Sequence, residues 1–556
     1  MGKTSYNVSE VKNQETKSSE APDEVSKFRR FLPQILASTA KNFLLLDLGL
    51  SVAIPTIIIP ALRGSLANAD PTEMLTLTEE EASWLGSIAF ICQPVGSVLS
   101  GWVTEPLGRK LSMILVNIPH IIAWIMLYYA GSLSELYTAA ILLGLGVGFM
   151  EAPIITYVGE ISEPAIRGIL TSCAGVSVML GVFIVYFLGT VVTWRVAALI
   201  CLTVPLSTLV AICFVPETPL WLLSKGRVDQ AEKSLQWLRG WVSSSAVQDE
   251  FRQLQQYSAN SNKCGTCQKK NIPCIHPPET IFQRGKELLR HRTLKPFSLV
   301  FLLFLFLNFT GLAAMRPFMV QIFQAYGTPI DGSRGTVIVG LMGFIANIFM
   351  LLSVAKMGKR VVCLISLTGV SLACLALGFY AYTTLPTGWS SFDKHTDSEL
   401  DGTGTFPMIL FFGISFFTSF GIASIPWMLL SEVFPFKSRG MATGISAALN
   451  YVMAFITTKT YLNVEHGLGL HGAAWLYGSI GVLAFIFVYF FLPETEKRTL
   501  EEIEMHFSLK GKTMRNIEIQ KKSVEAPTDV KVDGKIENSL AASIGSMGCD
   551  NKGFER

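Results

Sequence analysis

The chain has 556 residues, 50% of them hydrophobic and 16% charged, with a net charge of +3. A soluble protein carries about a quarter of its residues charged, so this composition excludes one soluble core, and so small a net charge gives nucleic acid no footing. Residues 1–33 are polar and charged, without the apolar stretch of a secretory signal, and read as a cytoplasmic tail. From there, apolar windows of about 20 residues recur, the length that crosses ~30 Å of hydrocarbon. The first half carries them at 34–59, 83–103, 111–131, 135–157, 170–191 and 194–215. The second carries them at 296–323, 335–355, 361–383, 406–430, 441–462 and 473–492. The sequence therefore predicts an all-α membrane protein of twelve transmembrane helices, divided as 34–215 and 296–492. Between them lies a polar linker, 216–295, expected as cytoplasmic helices near 228–239, 246–258 and 279–291. A polar tail, 493–556, closes the chain.

Basic residues set the orientation. Arg109, Lys110, Arg167, Lys356, Lys359, Arg360, Lys437 and Arg439 fall in one set of turns, and only Arg63, Arg195, Arg334 and Lys394 in the other. Positive charge stays on the cytoplasmic side, which puts both termini and the linker inside the cell.

The two halves repeat one another. Gly108-Arg109-Lys110 after the second span matches Gly358-Lys359-Arg360 after the eighth. Glu160 precedes Arg167-Gly168 as Glu432 precedes Arg439-Gly440, and Pro216-Glu217-Thr218 matches Pro493-Glu494-Thr495. Two parallel six-helix pseudo-repeats fit a transporter whose halves rock about a central site. The carboxylates and cations of these turns (Arg109, Glu160, Arg167, Glu217, Glu432, Arg439, Glu494) are candidates for a gate, in which pairing across the halves holds one state and breaks in the other.

These matched motifs carry a resemblance. Over about residues 30–510 the chain resembles the sugar porters of the major facilitator superfamily, and among them the insect facilitated trehalose and glucose transporters. The resemblance implies a major facilitator fold, a cytoplasmic helical bundle, a monomeric porter whose partners are a small-molecule solute, a sugar, and membrane lipid, and no enzymatic activity. It also implies a cell-membrane location. Sugar-facing positions of the family fall at Asn308 and Thr310 in helix 7, Trp427 in helix 10 and Asn450 in helix 11. The pattern departs elsewhere. The family's helix 7 Gln pair is absent from Leu307–Ala313, its helix 5 Gln falls at Gly175, and the Arg of its Pro-Glu-Ser-Pro-Arg motif is Leu220. A sugar hydroxyl stripped of water and left unpaired costs ~1–3 kcal/mol, so a proton-linked porter of a non-sugar or anionic solute, or a non-transporting solute sensor, stands as the alternative.

Among the charges inside predicted spans, Asp47, Glu151 and Arg316 are singled out. Ionisable groups at such depth are functional candidates by default. Asp47 stands where the resemblance implies the proton-coupling Asp of helix 1, and Arg316 is expected to pair with Asp47, with Glu151 or with an anionic substrate group. The alternative readings are an Asp satisfied by a neighbour and an Arg reaching the outer interface. Gly144, Gly146 and Gly148 are expected to let helices approach closely. Cys264, Cys267, Cys274 and His276 have the residue types of a structural zinc site, or are reduced thiols of a cytosolic segment; no other cofactor is implied.

Overall fold

The computed structural model of the chain describes residues 26–64, 73–261, 291–386, 389–391, 404–434 and 439–496, and positions 498, 502–503 and 506–507. Among these residues all regular structure is helical. The proposed zinc ligands Cys264, Cys267, Cys274 and His276 and the helix expected at 279–291 lie outside them.

The first half begins with α1 (Lys27–Ala53), N-capped by Ser26, whose hydroxyl accepts from the Arg29 N–H. The helix thus starts within the expected tail, where the Ser26 cap lets it begin before the apolar run. Pro55 breaks it, and α2 (Pro55–Leu62) completes the span. Then follow α3 (Glu79–Leu107), α4 (Arg109–Leu115), α5 (Asn117–Tyr129), α6 (Leu133–Ile161), α7 (Pro164–Val191) and α8 (Trp194–Cys213). Thr78 and Glu81 form a reciprocal capping box at the start of α3.

Helices α9 (Pro219–Ser224), α10 (Val228–Leu238) and α11 (Ser244–Ser261) follow. They share a small core of Trp221, Leu222, Leu235, Val247 and Phe251. Trp221 Nε1 donates to Glu105 O at 2.9 Å, and Arg239 reaches Ile161 O at 3.3 Å, fastening this unit to α3 and α6.

The second half begins with α12 (His291–Phe309), α13 (Leu312–Met315), a 3₁₀ turn at Arg316–Phe318 and α14 (Met319–Ala325). It continues with α15 (Gly332–Met357), α16 (Lys359–Thr384), α17 (Thr405–Phe420), α18 (Ile425–Leu430) and α19 (Arg439–Phe491). The span expected at 296–323 is bent by 46° at Phe309–Leu312. Gly311 allows that bend, since its φ of 100° is open to glycine. The span at 406–430 is interrupted at Gly421–Ser424, ahead of Pro426.

Ten helices of the described residues are long and apolar enough to cross a membrane, and eleven if the bent pair is one span. The expected gap at 463–472 is helical apart from Gly469, whose φ of 72° kinks α19. The two helical stretches on either side of it, 439–468 and 470–491, are each long enough to cross ~30 Å of hydrocarbon.

The small residues set how closely helices approach. A Cβ on Gly144 or Gly148 of α6 would overlap the α3 backbone at Ala89 or Gln93, and one on Gly146 would overlap the His120 ring. Across the halves, α3 packs on α19 and α7 on α15.

The interior has two different ends. At the end away from the Arg109 and Lys359 turns, one apolar core runs without interruption through both halves. It joins Leu50, Ile58, Trp124 and Tyr186 to Phe318, Phe323, Phe411 and Tyr461. At the end carrying those turns there are two separate cores. One, with Leu44, Met113, Ile154 and Tyr157, belongs to the first half. The other, with Phe304, Met350, Leu367 and Phe434, belongs to the second. The halves are therefore closed on one another at one end and apart at the other.

Candidate functional site

Three groups of polar residues lie on this frame: basic turns at the open end, a seam at the closed end, and buried charges between.

The basic turns are built alike in both halves. Gly108 (φ 94°, ψ 170°) and Gly358 (φ 84°, ψ 161°) adopt nearly the same positive-φ conformation. Each turn is held by the carboxylate of the distant Pro-Glu-Thr motif. Glu217 accepts the Lys110 N–H at 3.0 Å and the Thr218 N–H at 2.8 Å. Glu494 accepts the Lys359 N–H at 3.0 Å, the Arg360 N–H at 3.1 Å and the Glu496 N–H at 2.9 Å. Burial pushes the Glu217 carboxyl above the usual carboxylate range, against the pull of these N–H donors.

The cation after each glycine then meets a Glu that the repeat singled out, Glu160 or Glu432. Arg109 binds Glu160 through Nη2 at 2.9 Å and Nε at 3.2 Å. Lys359 Nζ lies 2.7 Å from Glu432 and 2.8 Å from Glu496. Both pairs lie within a half, whereas the sequence led us to expect pairing across halves; the reason is that the halves are apart at this end. Arg167 does not meet Glu160: it is exposed, and its guanidinium donates to Ser162 O at 3.1 Å. Arg439 opens α19, and its side chain lies outside the described residues.

A second network at this end was not read from the sequence. Glu163 accepts from Arg30 at 2.9 Å and from Gln34 at 2.9 Å, and lies 3.4 Å from Arg239. Arg239 in turn holds Glu250 at 2.6 Å. The one available signal was that Glu163 stands beside Pro164, three positions past Glu160.

The closed end is stitched by contacts between the halves. Lys459 Nζ lies 4.2 Å above the Trp84 ring, and Ser83 Oγ donates to Lys459 O at 3.1 Å. His466 Nε2 is 3.6 Å from Glu79. Thr56 Oγ1 donates to Arg316 O at 2.9 Å. Between Tyr186, Arg316, Gly340, Ser415 and Ser419 a cavity remains, with about 10 Å³ for the centre of a water-sized sphere. That holds about one water and no larger solute.

Between the ends, the expected sugar-facing residues are partly brought together. Asn308 Nδ2 donates to Asn450 Oδ1 at 2.8 Å and to Phe304 O at 2.8 Å. Trp427 stacks edge-on against Phe304, with ring centroids 5.0 Å apart, and lies 6.1 Å from the Tyr451 ring. Thr310 is fully buried, and its hydroxyl is turned back to Leu307 O at 2.9 Å. Glu151 of α6 crosses to the second half. It accepts from the Tyr451 hydroxyl, and from Ser97 of α3 at 3.1 Å.

Asp47 is 1% exposed. It pairs with His120 of α5 and accepts the Trp124 indole N–H at 2.9 Å. The expected Arg316 pairings are not formed: Asp47 is taken by His120 and Trp124, and Glu151 by Tyr451 and Ser97. His120, Trp124 and Tyr451 were not singled out in the sequence. Lys41 of α1 is a further buried cation, 1% exposed.

Taken together, the elements define a multi-pass membrane protein of the porter type, with two repeated helical halves and polar groups between them. Its fold is that of the proton:xylose symporter XylE bound to 6-bromo-6-deoxy-D-glucose, with a TM-score of 0.64 at 20% identity, covering 86% of this chain and all of that one. The model of the Sugar (and other) transporter family matches residues 16–507. The chain belongs to this family of membrane transporters, which are not enzymes. It is 30% identical over 471 residues to the facilitated trehalose transporter Tret1 of Polypedilum vanderplanki, covering 85% of this chain and 87% of that protein. It is likewise 30% identical to Tret1 of Drosophila mojavensis, where the match spans about half of the relative, 51% of its length.

Proposed function

We propose that the chain is a secondary transporter that moves a small polar solute, a sugar such as trehalose or a hexose, across the cell membrane by alternating access. The observation that carries this reading is the asymmetry of the core: one apolar core joins the halves at one end, and two separate cores face each other at the other. Rigid halves closed at one end and apart at the other are one of the two states such a cycle needs. With the basic turns on the cytoplasmic side, this state is open inward.

The same reading sets the topology. The kink at Gly469 divides α19 into two crossings and the bent pair at Phe309–Leu312 forms one, giving twelve spans in two halves, 34–215 and 296–492. Both termini then lie in the cytoplasm. The unit formed by α9–α11 is the start of a cytoplasmic helical bundle, a reading supported by its ties to α3 and α6 of the first half. Asn308, Trp427 and Asn450 line the solute site. The porter works as a monomer.

A second reading, proton-linked transport, is favoured by one observation: Asp47 is buried with His120 and Trp124 in place of a guanidinium. A carboxyl-imidazole pair at that depth has a proton site on both partners.

Uptake of labelled trehalose and glucose into liposomes containing the purified chain, with and without a pH gradient, tests both. Uptake down a sugar gradient supports the first reading, and absence of uptake of either sugar overturns it. A rate that follows an imposed pH gradient supports the second reading, and a rate indifferent to that gradient removes it.

A further inference from the structure

We infer that Glu151 is a solute-binding group that selects hydroxyl-rich neutral solutes, and that Tyr451 holds its place when the site is empty. The inference rests on the sugar-transport reading and names a residue and a solute class within it.

The argument starts from what the site lacks. Helix 7 offers Leu307, Phe309, Leu312 and Ala313 where polar side chains would serve a sugar, and Gly175 leaves α7 without one. The residues expected to face a sugar are also largely occupied: Asn308 and Asn450 bind one another, and Thr310 is turned into its own helix. A solute rich in hydroxyls needs an acceptor beyond these three.

Glu151 supplies it from the first half. Its side chain reaches Tyr451, whose ring neighbours Trp427 and whose backbone follows Asn450, so the carboxylate stands at the edge of the expected site. It is only partly buried.

The partners of Glu151 show what it is suited to hold. A carboxylate within a membrane protein is costly unless donors surround it. Here both donors, Tyr451 Oη and Ser97 Oγ, are neutral hydroxyls. A sugar offers the same group. One solute hydroxyl can replace Tyr451 on the carboxylate without leaving an unpaired acceptor, and a second solute oxygen can accept from the freed Tyr451 hydroxyl, so the exchange need leave no polar group unpaired. A carboxylate-bearing solute has no such exchange, because like charges would meet in a site of low dielectric. The same group therefore favours neutral polyols and rejects acids, which decides against the anionic-solute alternative.

Equilibrium binding to the full-length purified chain, measured calorimetrically with glucose, trehalose and glucuronate, tests this. The wild type is expected to bind a neutral sugar and to bind glucuronate more weakly. Glu151→Ala is expected to lose at least about tenfold in affinity for the neutral sugar, the size of a charge-assisted hydrogen bond. Glu151→Gln is expected to narrow the preference for glucose over glucuronate, a ratio that a reduced folded fraction does not move. Tyr451→Phe is expected to bind the sugar at least as tightly as wild type, because the carboxylate has lost its internal competitor. If the wild type binds neither neutral sugar, the transport reading falls and this inference with it. If the wild type binds but the Glu151 variants keep its affinity and its preference, the inference alone falls. A loss in Tyr451→Phe as large as in Glu151→Ala also overturns it, since the pair would then act as a structural unit.

Discussion

The Glu217 side chain accepts the backbone N–H of Lys110 at 3.0 Å, across 107 positions of sequence. Glu494 does the same for Arg360 at 3.1 Å in the second half. In both places a glycine with positive φ turns the chain so that consecutive N–H groups face one carboxylate. A Cβ at Gly108 or Gly358 would collide with that carboxylate. Gly108→Ala and Gly358→Ala are therefore each expected to destabilise the protein by about 1–3 kcal/mol, from backbone strain together with displacement of the acid. The thermal midpoint in detergent checks this, and an unchanged midpoint in both variants would remove the proposed role of the turns.

The pair Arg109–Glu160, with Nη2 and Oε1 2.9 Å apart, is nearly buried, with side chains 10% and 13% exposed. Removing one partner strands the other charge, at a cost of about 3–5 kcal/mol. Arg109→Ala and Glu160→Ala should each lower stability by that order, and the double variant by much less than their sum. Additive losses in this cycle would mean that the two side chains act independently. Lys359, shared between Glu432 and Glu496, is expected to show weaker coupling to either acid alone, because the second remains.

How these residues relate to the sequence shows what a sequence can disclose. The order of the motifs was legible: Gly108 and Gly358, Glu160 and Glu432, and the two Pro-Glu-Thr triplets occur in the same order twice. Their chemistry was less so. That Glu217 serves the Gly108 turn follows only once α8 lies against α4 and α5, and no local spacing encodes it. Asp47 was visible because a charge in an apolar run is conspicuous. His120 and Trp124 were not, since an apolar span does not say which face of α5 turns toward α1. The gate was misjudged for a different reason: spacing shows which charges could meet, and the state of the halves decides whether they meet across the gap. The break expected at 463–472 shrank to Gly469 because the residues around it tolerate a helix.

The closed end makes a further prediction. Lys459 above the Trp84 ring contributes about 0.5–1 kcal/mol at an exposed site. This contact exists only while α3 and α19 are together there. Trp84→Ala is expected to shift the population toward the outward-open state by up to about fivefold, as that energy converts. Ser419→Cys, in the cavity between the halves, reports it in a background without other reactive cysteines. Its labelling by a membrane-impermeant thiol reagent added outside should rise in Trp84→Ala. Equal labelling with and without Trp84 would show that the ring does not hold this end shut.

Asp47 gives the last prediction. Its two oxygens are engaged by His120 and by the Trp124 indole N–H, in a pocket sealed from solvent. Asp47→Ala leaves both partners buried without an acceptor, so a stability loss of about 3 kcal/mol or more is expected from the stranded polar groups alone. Asp47→Asn is the informative change, since the amide keeps an oxygen for Trp124 and removes the titrating group. If the pair couples proton movement to the cycle, Asp47→Asn retains facilitated sugar exchange between equal pools and loses any response to a pH gradient. If the pair only holds α1 against α5, exchange and gradient response change together, in proportion to the folded fraction. Measuring both fluxes on one liposome preparation separates the two, because exchange needs the halves to rock but does not need a net proton to cross.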